Sequence, residues 1–579
     1  MLIPNLAIGK TMNRQSASLA VGLLLVLMIC VGMAVGSSHM RSDSDIPHIP
    51  IETQNNSTVK AYEGGTEALL IQDQLPWNVD SNDLALTELG VSHDVISSTE
   101  LATTVLSKYI FIMYASDQPT SYYTNINKNI DKISTYVKNG GFLIAHCCDG
   151  GWNNGDWSGL KILPGASTIG HTLTYCDTIQ INSPDNPISN GLTDDLLSNW
   201  KSANHGYLTK IPSTKVDVVM DTNKGCKGKC SKAYPTYINY QYGDGTVLAT
   251  TQTVEWQYAG YNKENALKAL LNNEITIARR PRGIDVSCNQ GTIRWTPDPN
   301  NPKLSSVADA SGLSFAYVKA SSWAGPTAET CEKTPLIPGC SCLYKPTDAI
   351  CACKNNGNPA KKGTHQNDNR LIANIDGALD SHLKVGVYHY AYPKNDPGIN
   401  GAIAEAEWFV RVAGRYIGPG YLPPALDLEE APPRTKNTNT DFADWIIAWM
   451  TTVQSKTRVM PIIYTGPSFA SSYLTDTRLS RYTLWTSNYK YDPLKKPNSA
   501  GIWKSTWSIW QWTDKGKIPG ITQNTVDLNV FSGTQSELSN LVVQSPTDVC
   551  PHGCKNSSIQ ATVDAATPGG TIDVAEGTA

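Results

Sequence analysis

The sequence predicts an α/β chain of two folded domains: a layered α/β sandwich, then a barrel that begins with alternating strands and helices and ends with strands alone. Three observations carry this expectation. At 579 residues the chain is too long for one hydrophobic core. Between residues 59 and 278, short apolar runs alternate with segments whose apolar residues recur every three to four positions, the pattern of a parallel sheet covered on both faces. From Arg282 onward eight strand-like segments follow one another, the early ones separated by helical stretches and the later ones by short connections.

Taken in order, the chain opens with an uncharged apolar run, Ala17 to Gly36, preceded by Lys10 and Arg14. Its length suits a bilayer span and its basic flank suits a secretory signal, so residues 1–40 read as a signal peptide or a membrane anchor. Either one predicts a secreted or cell-surface protein. Residues 41–58, RSDSDIPHIPIETQNNST, are polar, hold two prolines and show no hydrophobic period, which marks a linker.

In the first domain the strand candidates are ALLIQD (68–73), SHDVISS (92–98), YIFIMYAS (109–116) and GGFLIAHCC (140–148). Ile126 to Lys138 reads as one helix, with Ile126, Ile130, Ile133 and Val137 on one stripe. Together with GDGTVLATT (243–251) and the Glu255-Trp256 that follows, this order resembles the flavodoxin-like domain of class I glutamine amidotransferases over residues 59–278. The resemblance implies a nucleophilic cysteine at Cys147 or Cys148, with His205 and Glu255 completing a triad. The turn reads AHCCDGGW where that family shows G-x-C-x-G, the elbow that exposes a nucleophile beside oxyanion-hole amides. The domain is therefore expected to bind or to space rather than to catalyse. An oxidising compartment favours pairing of Cys147 or Cys148 with Cys176, and of Cys226 with Cys230.

The second domain offers RGIDVS (282–287), SFAYVKA (314–320), KVGVYHYA (384–391), PPALDLE (423–429), MPIIYT (460–465), YTLWTSNY (482–489), SIWQWT (508–513) and VDLNVF (526–531) as strands. Ala402 to Ala413 and Asp441 to Lys456 read as helices between them. In such barrels the chemistry gathers at the carboxyl ends of the strands. There PPALDLEE sets Asp427 and Glu429 two residues apart. Strand alternation sends both carboxylates to one side, roughly 7 Å apart at about 3.3 Å rise per residue. Asp285 and Asp527 lie near the ends of the first and last strands. Two acids so held are the minimum equipment for cutting a glycosidic bond, although a lone D-x-E is also a common pair of solvated acids. The aromatic set of 26 Tyr and 15 Trp against 7 Phe suits stacking on sugar rings as well as ordinary cores. A net charge of -4 argues against the basic stripe of a nucleic-acid surface.

Residues 282–532 resemble the glycoside hydrolase family 25 lysozymes, the N-acetylmuramidases of the Chalaropsis type. The opening GIDVSCNQGTIRW, the VKA strand, GVYHYAYP, LPPALDLEE, IIYT, LWTSNY and the closing WQWTDKGKIPGITQNTVDLNVF stand in the family's order. The resemblance implies a TIM-like (β/α)5(β)3 barrel with Glu429 as general acid and Asp427 as its neighbouring carboxylate. It places the first-strand acid at Asp285 and the Asp of the last-strand D-x-N motif at Asp527. The tyrosine facing the reacting sugar falls on Tyr388 by the G-x-Y-H pattern, with Tyr390 as the alternative. Tyr464, Trp485, Trp510 and Trp512 complete the substrate-binding candidates, the tryptophans being equally suited to a core. His389 reads as a packed barrel residue. Nearby carboxylates raise a general acid's proton affinity by like-charge repulsion, which suits Asp427 and Asp285 beside Glu429. The implied reaction is β-1,4 cleavage between N-acetylmuramic acid and N-acetylglucosamine in peptidoglycan, with net retention and without cofactor or metal. The residues leave open whether an Asp or the substrate's own acetamido group attacks.

Two departures from the family pattern bear on substrate. Where the family continues its second strand as KATEG this chain has KASSW, so Ser322 stands in the place of an acid at the rim. A Cys-rich insertion follows at 324–368, within a barrel domain of 282–545. Its Cys331, Cys340, Cys342, Cys351 and Cys353 are spaced for a disulfide-stapled insertion rather than for the C-x2-4-C of structural zinc. The tail at 548–579 resembles the start of a right-handed parallel β-helix, cut off before the repeats that would bury its face. The competing expectation is a wall-binding or adhesion protein whose barrel retains the cleft but turns over little.

Overall fold

The computed structural model describes residues 66–544 except 166–168, 177, 199–202, 212–215, 224–232, 260–267, 324–364, 396 and 433–437, together with 547–549 and 572–574. The apolar run at 17–36, the linker, most of the Cys-rich insertion and most of the tail lie outside these residues. So do Cys226 and Cys230. Among the described residues no helix is long and apolar enough to cross a membrane.

The first domain holds β1 (Ala68–Ile71), α1 (Ser81–Glu88), β2 (His93–Ile96), β3 (Phe111–Tyr114), α2 (Thr120–Lys128), α3 (Ile130–Lys138), β4 (Phe142–His146), β5 (Gly170–Cys176) and β6 (Gln180–Ile181). It continues with α4 (Asp194–Leu197), β7 (Asn204–Thr209), β8 (Val216–Asp221), β9 (Pro235–Tyr242), β10 (Gly245–Thr250), α5 (Val254–Tyr258) and α6 (Lys268–Ala278). Eight strands form one sheet in the order β2-β1-β3-β4-β10-β9-β8-β6. Its apolar runs are continuous because both faces are covered. Ala68, Leu70, Phe111 and Met113 face one core, while Leu69, Ile71, Ile112 and Tyr114 face the other.

Three expectations need correction. The sheet is parallel only from β2 to β10; β9, β8 and β6 run antiparallel, because a tight turn at Gly243 (φ +64) folds β9 back onto β10. The expected single helix at 126–138 is two, broken at Asn129, whose ψ of 11 leaves the helical range and which ends α2 and starts α3. Cys147 and Cys148 are free and buried, so neither pairs with Cys176.

Three residues separate α6 from the second domain. It comprises β11 (Arg282–Val286), β12 (Leu313–Trp323), β13 (His365–Asn367), α7 (Leu371–Asp380), β14 (Lys384–Tyr390), α8 (Ile399–Ala413), β15 (Ala425–Asp427) and α9 (Thr438–Thr457). β16 (Ile462–Thr465), α10 (Pro467–Tyr473), β17 (Leu484–Ser487), β18 (Ile509–Gly516), β19 (Val526–Phe531) and α11 (Gln535–Leu541) complete it. All eight strand-like segments read from the sequence are strands. They close a barrel, since β11 pairs with both β12 and β19. Neighbours from β11 round to β18 are parallel, and β19 is antiparallel to both of its neighbours. β13 was not foreseen; it adds to the end of β12 from outside the ring.

Strand alternation sorts the barrel's apolar residues into two layers. Phe315, Tyr317, Ala425, Ile462, Tyr464, Trp485 and Ile509 fill the interior, while Ala316, Val318, Leu426, Ile463, Leu484 and Trp510 pack outward under the helices. The same alternation carries Asp427, two residues after Ala425, into the upper interior.

The domains pack directly on one another. The Arg282 guanidinium donates to the Ile110 carbonyl at 2.7 Å, Ser311 N–H to the Asn139 carbonyl at 3.1 Å, and Lys517 N–H to Asp244 Oδ2 at 2.7 Å. Leu494, from the loop after β17, is 2% exposed and sits in the first domain's core. We expect Leu494→Ala to leave a cavity at this junction and to lower stability by about 2–5 kcal/mol in urea denaturation.

Candidate active site

Interstrand register assembles the site. Asp285 on β11 lies opposite Asp527 on antiparallel β19. Across the parallel strands, Tyr390 pairs with Asp427, Asp427 with Tyr464 and Tyr464 with Trp485, forming one row through β14, β15, β16 and β17. β15 ends at Asp427, so Glu429 stands just beyond the strand. Its approach is fixed by backbone bonds: Ala391 N–H donates to the Asp427 carbonyl at 3.0 Å and Leu428 N–H to the Tyr464 carbonyl at 2.9 Å. The Leu428 carbonyl accepts from Thr465 Oγ1 at 3.0 Å.

Asp285 is held by two amides. Gln511 Nε2 donates to its Oδ2 at 3.0 Å and Asn529 Nδ2 to the same oxygen at 2.7 Å. Those amides are aimed by aromatic donors in turn. Tyr464 and Tyr489 hydroxyls donate to Gln511 Oε1 at 2.9 and 3.0 Å, and Trp485 Nε1 donates to Asn529 Oδ1 at 2.8 Å. Neither amide was singled out from the sequence. The signal was there in W-Q-W and D-x-N, where a polar residue shares a face with barrel-interior positions by period two.

Burial raises the proton affinity of all four carboxyls. Burial raises Asp285, opposed by the two amides, and pushes Asp527 up to about 9, with Asp285 adding to the shift. Asp527 therefore carries the proton of that pair and Asp285 the charge. Burial drives Asp427 well above the ordinary carboxylate range, Glu429 adds to this, and Asp427 Oδ1 has no hydrogen-bond partner. The Glu429 side chain reaches solvent on one side, yet the cleft wall removes enough of its hydration to raise its carboxyl. Hydrogen bonds from Tyr464 and Tyr390 oppose that rise and Asp285 reinforces it. The Tyr390 hydroxyl lies 3.4 Å from Glu429 Oε2, and Lys319 Nζ stands 5.2 Å from the centre of the Tyr390 ring.

The remaining candidates divide. Tyr388 lies among the acids, its hydroxyl pushed well up by burial and then by Asp285 and Asp427, and its ring is edge-on to Trp485 at 6.3 Å. Trp485 is 2% exposed and tilts onto Tyr317 at 4.6 Å, so it supports the floor instead of offering a free face. Trp510 packs outward in the barrel's outer layer and Trp512 lines the interdomain cleft, both away from the interior face that Gln511 occupies. Neither is a sugar platform at the acids, because period two turns both from the acids when Gln511 faces them. His389 is fully buried between Ser321 Oγ at 2.9 Å and Glu405 Oε2 at 3.0 Å, the packed residue expected. Ser322 is 4% exposed and paired with Gln366 of β13, so it lies beneath an added strand, not on an open rim.

Among the described residues of the first domain, Glu255 is bonded to His146 and not to His205, so the expected triad is not assembled. Glu255 Oε1 is bonded to His146 Nδ1 at 2.9 Å, and His146 Nε2 to Glu274 Oε2 at 3.0 Å, all fully buried. His205 Nδ1 instead meets the Asp149 carbonyl at 3.1 Å. Burial pushes both thiols up, which leaves them protonated and weakly nucleophilic. Among the described residues, one group has metal-ligand spacing: Asp149, Asp156 and His171 of this domain bring one atom each within 4.8 Å.

The Asp527 proton has a consequence for stability. Its folded pKa of about 9 exceeds the unfolded value of about 3.9, so the stability it contributes is complete below the unfolded value and is lost as pH rises towards 9. Asp527→Asn, which cannot lose that proton, is expected to show a smaller drop in melting temperature between pH 5 and pH 8.5 than the parent protein.

Residues 358–521 match the family model described as Glycosyl hydrolases family 25. An uncharacterized protein of Clostridium acetobutylicum is 31% identical over 224 residues, which cover 38% of this chain and 21% of that protein. The uncharacterized protein YegX of Escherichia coli K12 is 30% identical over 183 residues, covering 32% of this chain and 61% of its own length. The chain thus spans less than two thirds of either relative. An N,O-diacetylmuramidase of Arthroderma benhamiae is 24% identical over 242 residues, 39% of this chain and 95% of the relative. Among solved structures, the bacterial lysozyme from Streptomyces coelicolor is similar at 22% identity over 45% of this chain and 96% of its own, with a TM-score of 0.32. The match to the Glycosyl hydrolases family 25 model thus lies within the barrel, from β13's preceding segment to the loop before β19.

Proposed function

We propose that the protein is a cell-wall glycan hydrolase, a lysozyme that cleaves the β-1,4 bond between N-acetylmuramic acid and N-acetylglucosamine in peptidoglycan. The observation that carries this reading is Glu429: a carboxyl of raised proton affinity that reaches solvent at the barrel's carboxyl rim, beside the deeply buried Asp427. Glu429 gives its proton to the glycosidic oxygen as the bond to the leaving sugar breaks. The charge of Asp285, held in place by Gln511 and Asn529, stabilises the positive charge that develops on the sugar ring. Tyr388 and Tyr390 line the reacting sugar's site. Nothing in this chemistry calls for a cofactor. The N,O-diacetylmuramidase relative supports the substrate class. A substrate of this kind places the enzyme's action outside the cytoplasm, in keeping with the exported start read from residues 1–40.

The first domain, on this reading, is an accessory module that walls the barrel. The test is turbidity loss of purified peptidoglycan together with release of reducing ends. The parent protein should clear the suspension. Glu429→Gln should lose about 10²–10⁴ of the rate, the range ascribed to a general acid, with an unchanged melting temperature. Binding to the wall without clearing by the parent protein would instead identify an adhesion protein.

A further inference from the structure

A cleft of about 1290 Å³ lies between the two domains, lined on one side by β8, β9 and residues 182–186 and on the other by the loop after β17. It exceeds the roughly 300–1,000 Å³ of a small-molecule site. It also begins beside the acids. Tyr489, which donates to Gln511 in the Asp285 network, has its ring 6.3 Å from that of Tyr491, and Tyr491 lines the cleft. The two rings are 41% and 46% exposed, a pair of aromatic surfaces between the acids and the cleft.

The cleft's charges are mixed, four aspartates and four lysines. Asp217 accepts from Ser183 Oγ at 2.8 Å and Asn186 Nδ2 at 3.2 Å, Asp492 from Leu494 N–H at 3.0 Å, and Asp244 from Lys517 N–H at 2.7 Å. Hydrogen bonds from neutral donors do not cancel a carboxylate's charge, so these three acids and the exposed Asp185 share the cleft with its lysines, and Asp492 is drawn to Lys495. Lys490, Lys495 and Lys496 line the same cleft and make no ion pair among the described residues. Lys515 lies over the Tyr491 ring at 4.8 Å. The lysine loop is not loose, because Leu494 in its middle is seated in the first domain's core.

We propose that this cleft is a peptide-stem subsite. It takes the carboxylate-bearing peptide that branches from a peptidoglycan strand while the strand's sugars occupy the rim at Glu429. Lys490, Lys495 and Lys496 meet the stem's carboxylates, and Tyr491 stacks on the sugar from which the stem hangs. The inference rests on the lysozyme reading above and adds to it which part of the wall is recognised. Several ammonium groups converging on one bound chain attract it together, and at partly exposed sites that attraction is screened by salt.

Calorimetric titration of the full-length Glu429→Gln protein separates the two ideas, because it reads binding without turnover. The probes are soluble glycan fragments with their peptide stems and the same fragments stripped of peptide. The stemmed fragments should bind about tenfold tighter, a difference of about 1.4 kcal/mol, and the preference should shrink as salt is added. Adding Lys490→Glu, Lys495→Glu and Lys496→Glu together should abolish the preference while leaving the affinity for stripped fragments and the melting temperature unchanged. Equal affinity for the two fragments, absence of binding to either, or a preference that survives the triple charge reversal would overturn the proposal. A protein that prefers stems yet clears no wall keeps the subsite and loses the lysozyme reading; one that clears wall without a stem preference does the reverse.

Discussion

The antiparallel closure of β19 on β11 is the constraint on which the barrel's chemistry depends. Its register sets Asp527 directly against Asp285, and two carboxyls so placed cannot both be charged. One must keep a proton, and the structure decides which. Asp285 receives two amide donors, so it carries the charge, while the less buried Asp527 carries the proton. A parallel last strand would have had a different register and a different partner for the first-strand acid.

That arrangement explains why so much of the interior is aromatic yet polar-tipped. A buried charge is tolerated only when hydrogen bonds replace its water, and each donor must itself be held. Tyr464 and Trp485 fill the barrel's floor with their rings and use their single polar atoms to aim Gln511 and Asn529. Removing either ring would leave a void and also release an amide. Trp485 packs against Tyr464, Tyr317 and Tyr388, so the floor of the cleft and the orientation of its donors form one body.

The first domain shows a related economy with a different outcome. His146, at the end of its fourth strand, is pinned between Glu255 and Glu274, and Tyr237 donates to Glu274 at 2.8 Å. The acid that a hydrolytic triad would need is consumed in this network, and the neighbouring thiols are buried. What the domain does contribute is position. It seats Leu494 and so holds the loop that carries Tyr489 and Tyr491 against the rim.

Much of this was legible in the sequence, because it depends on local periodicity. Eight apolar runs with period-two alternation were enough to mark the barrel strands, and the same period put Asp427 and Glu429 at the end of the fourth. His389, flanked by tyrosines in an apolar strand, read as a packed residue and is one. What could not be read were pairings between residues far apart in the chain. Gln511 and Asn529 meet Asp285 across 226 and 244 positions, and no local pattern selects those partners. Trp510 and Trp512 turned outward because Gln511 took the inward face, a choice made by the charge at Asp285 and not by their own strand. Ser322 is covered by β13, a strand contributed from beyond the insertion. Periodicity determines which residues share a face; only the closed tertiary structure decides what that face meets, because desolvated charges accept whichever donors the ring of strands brings within reach.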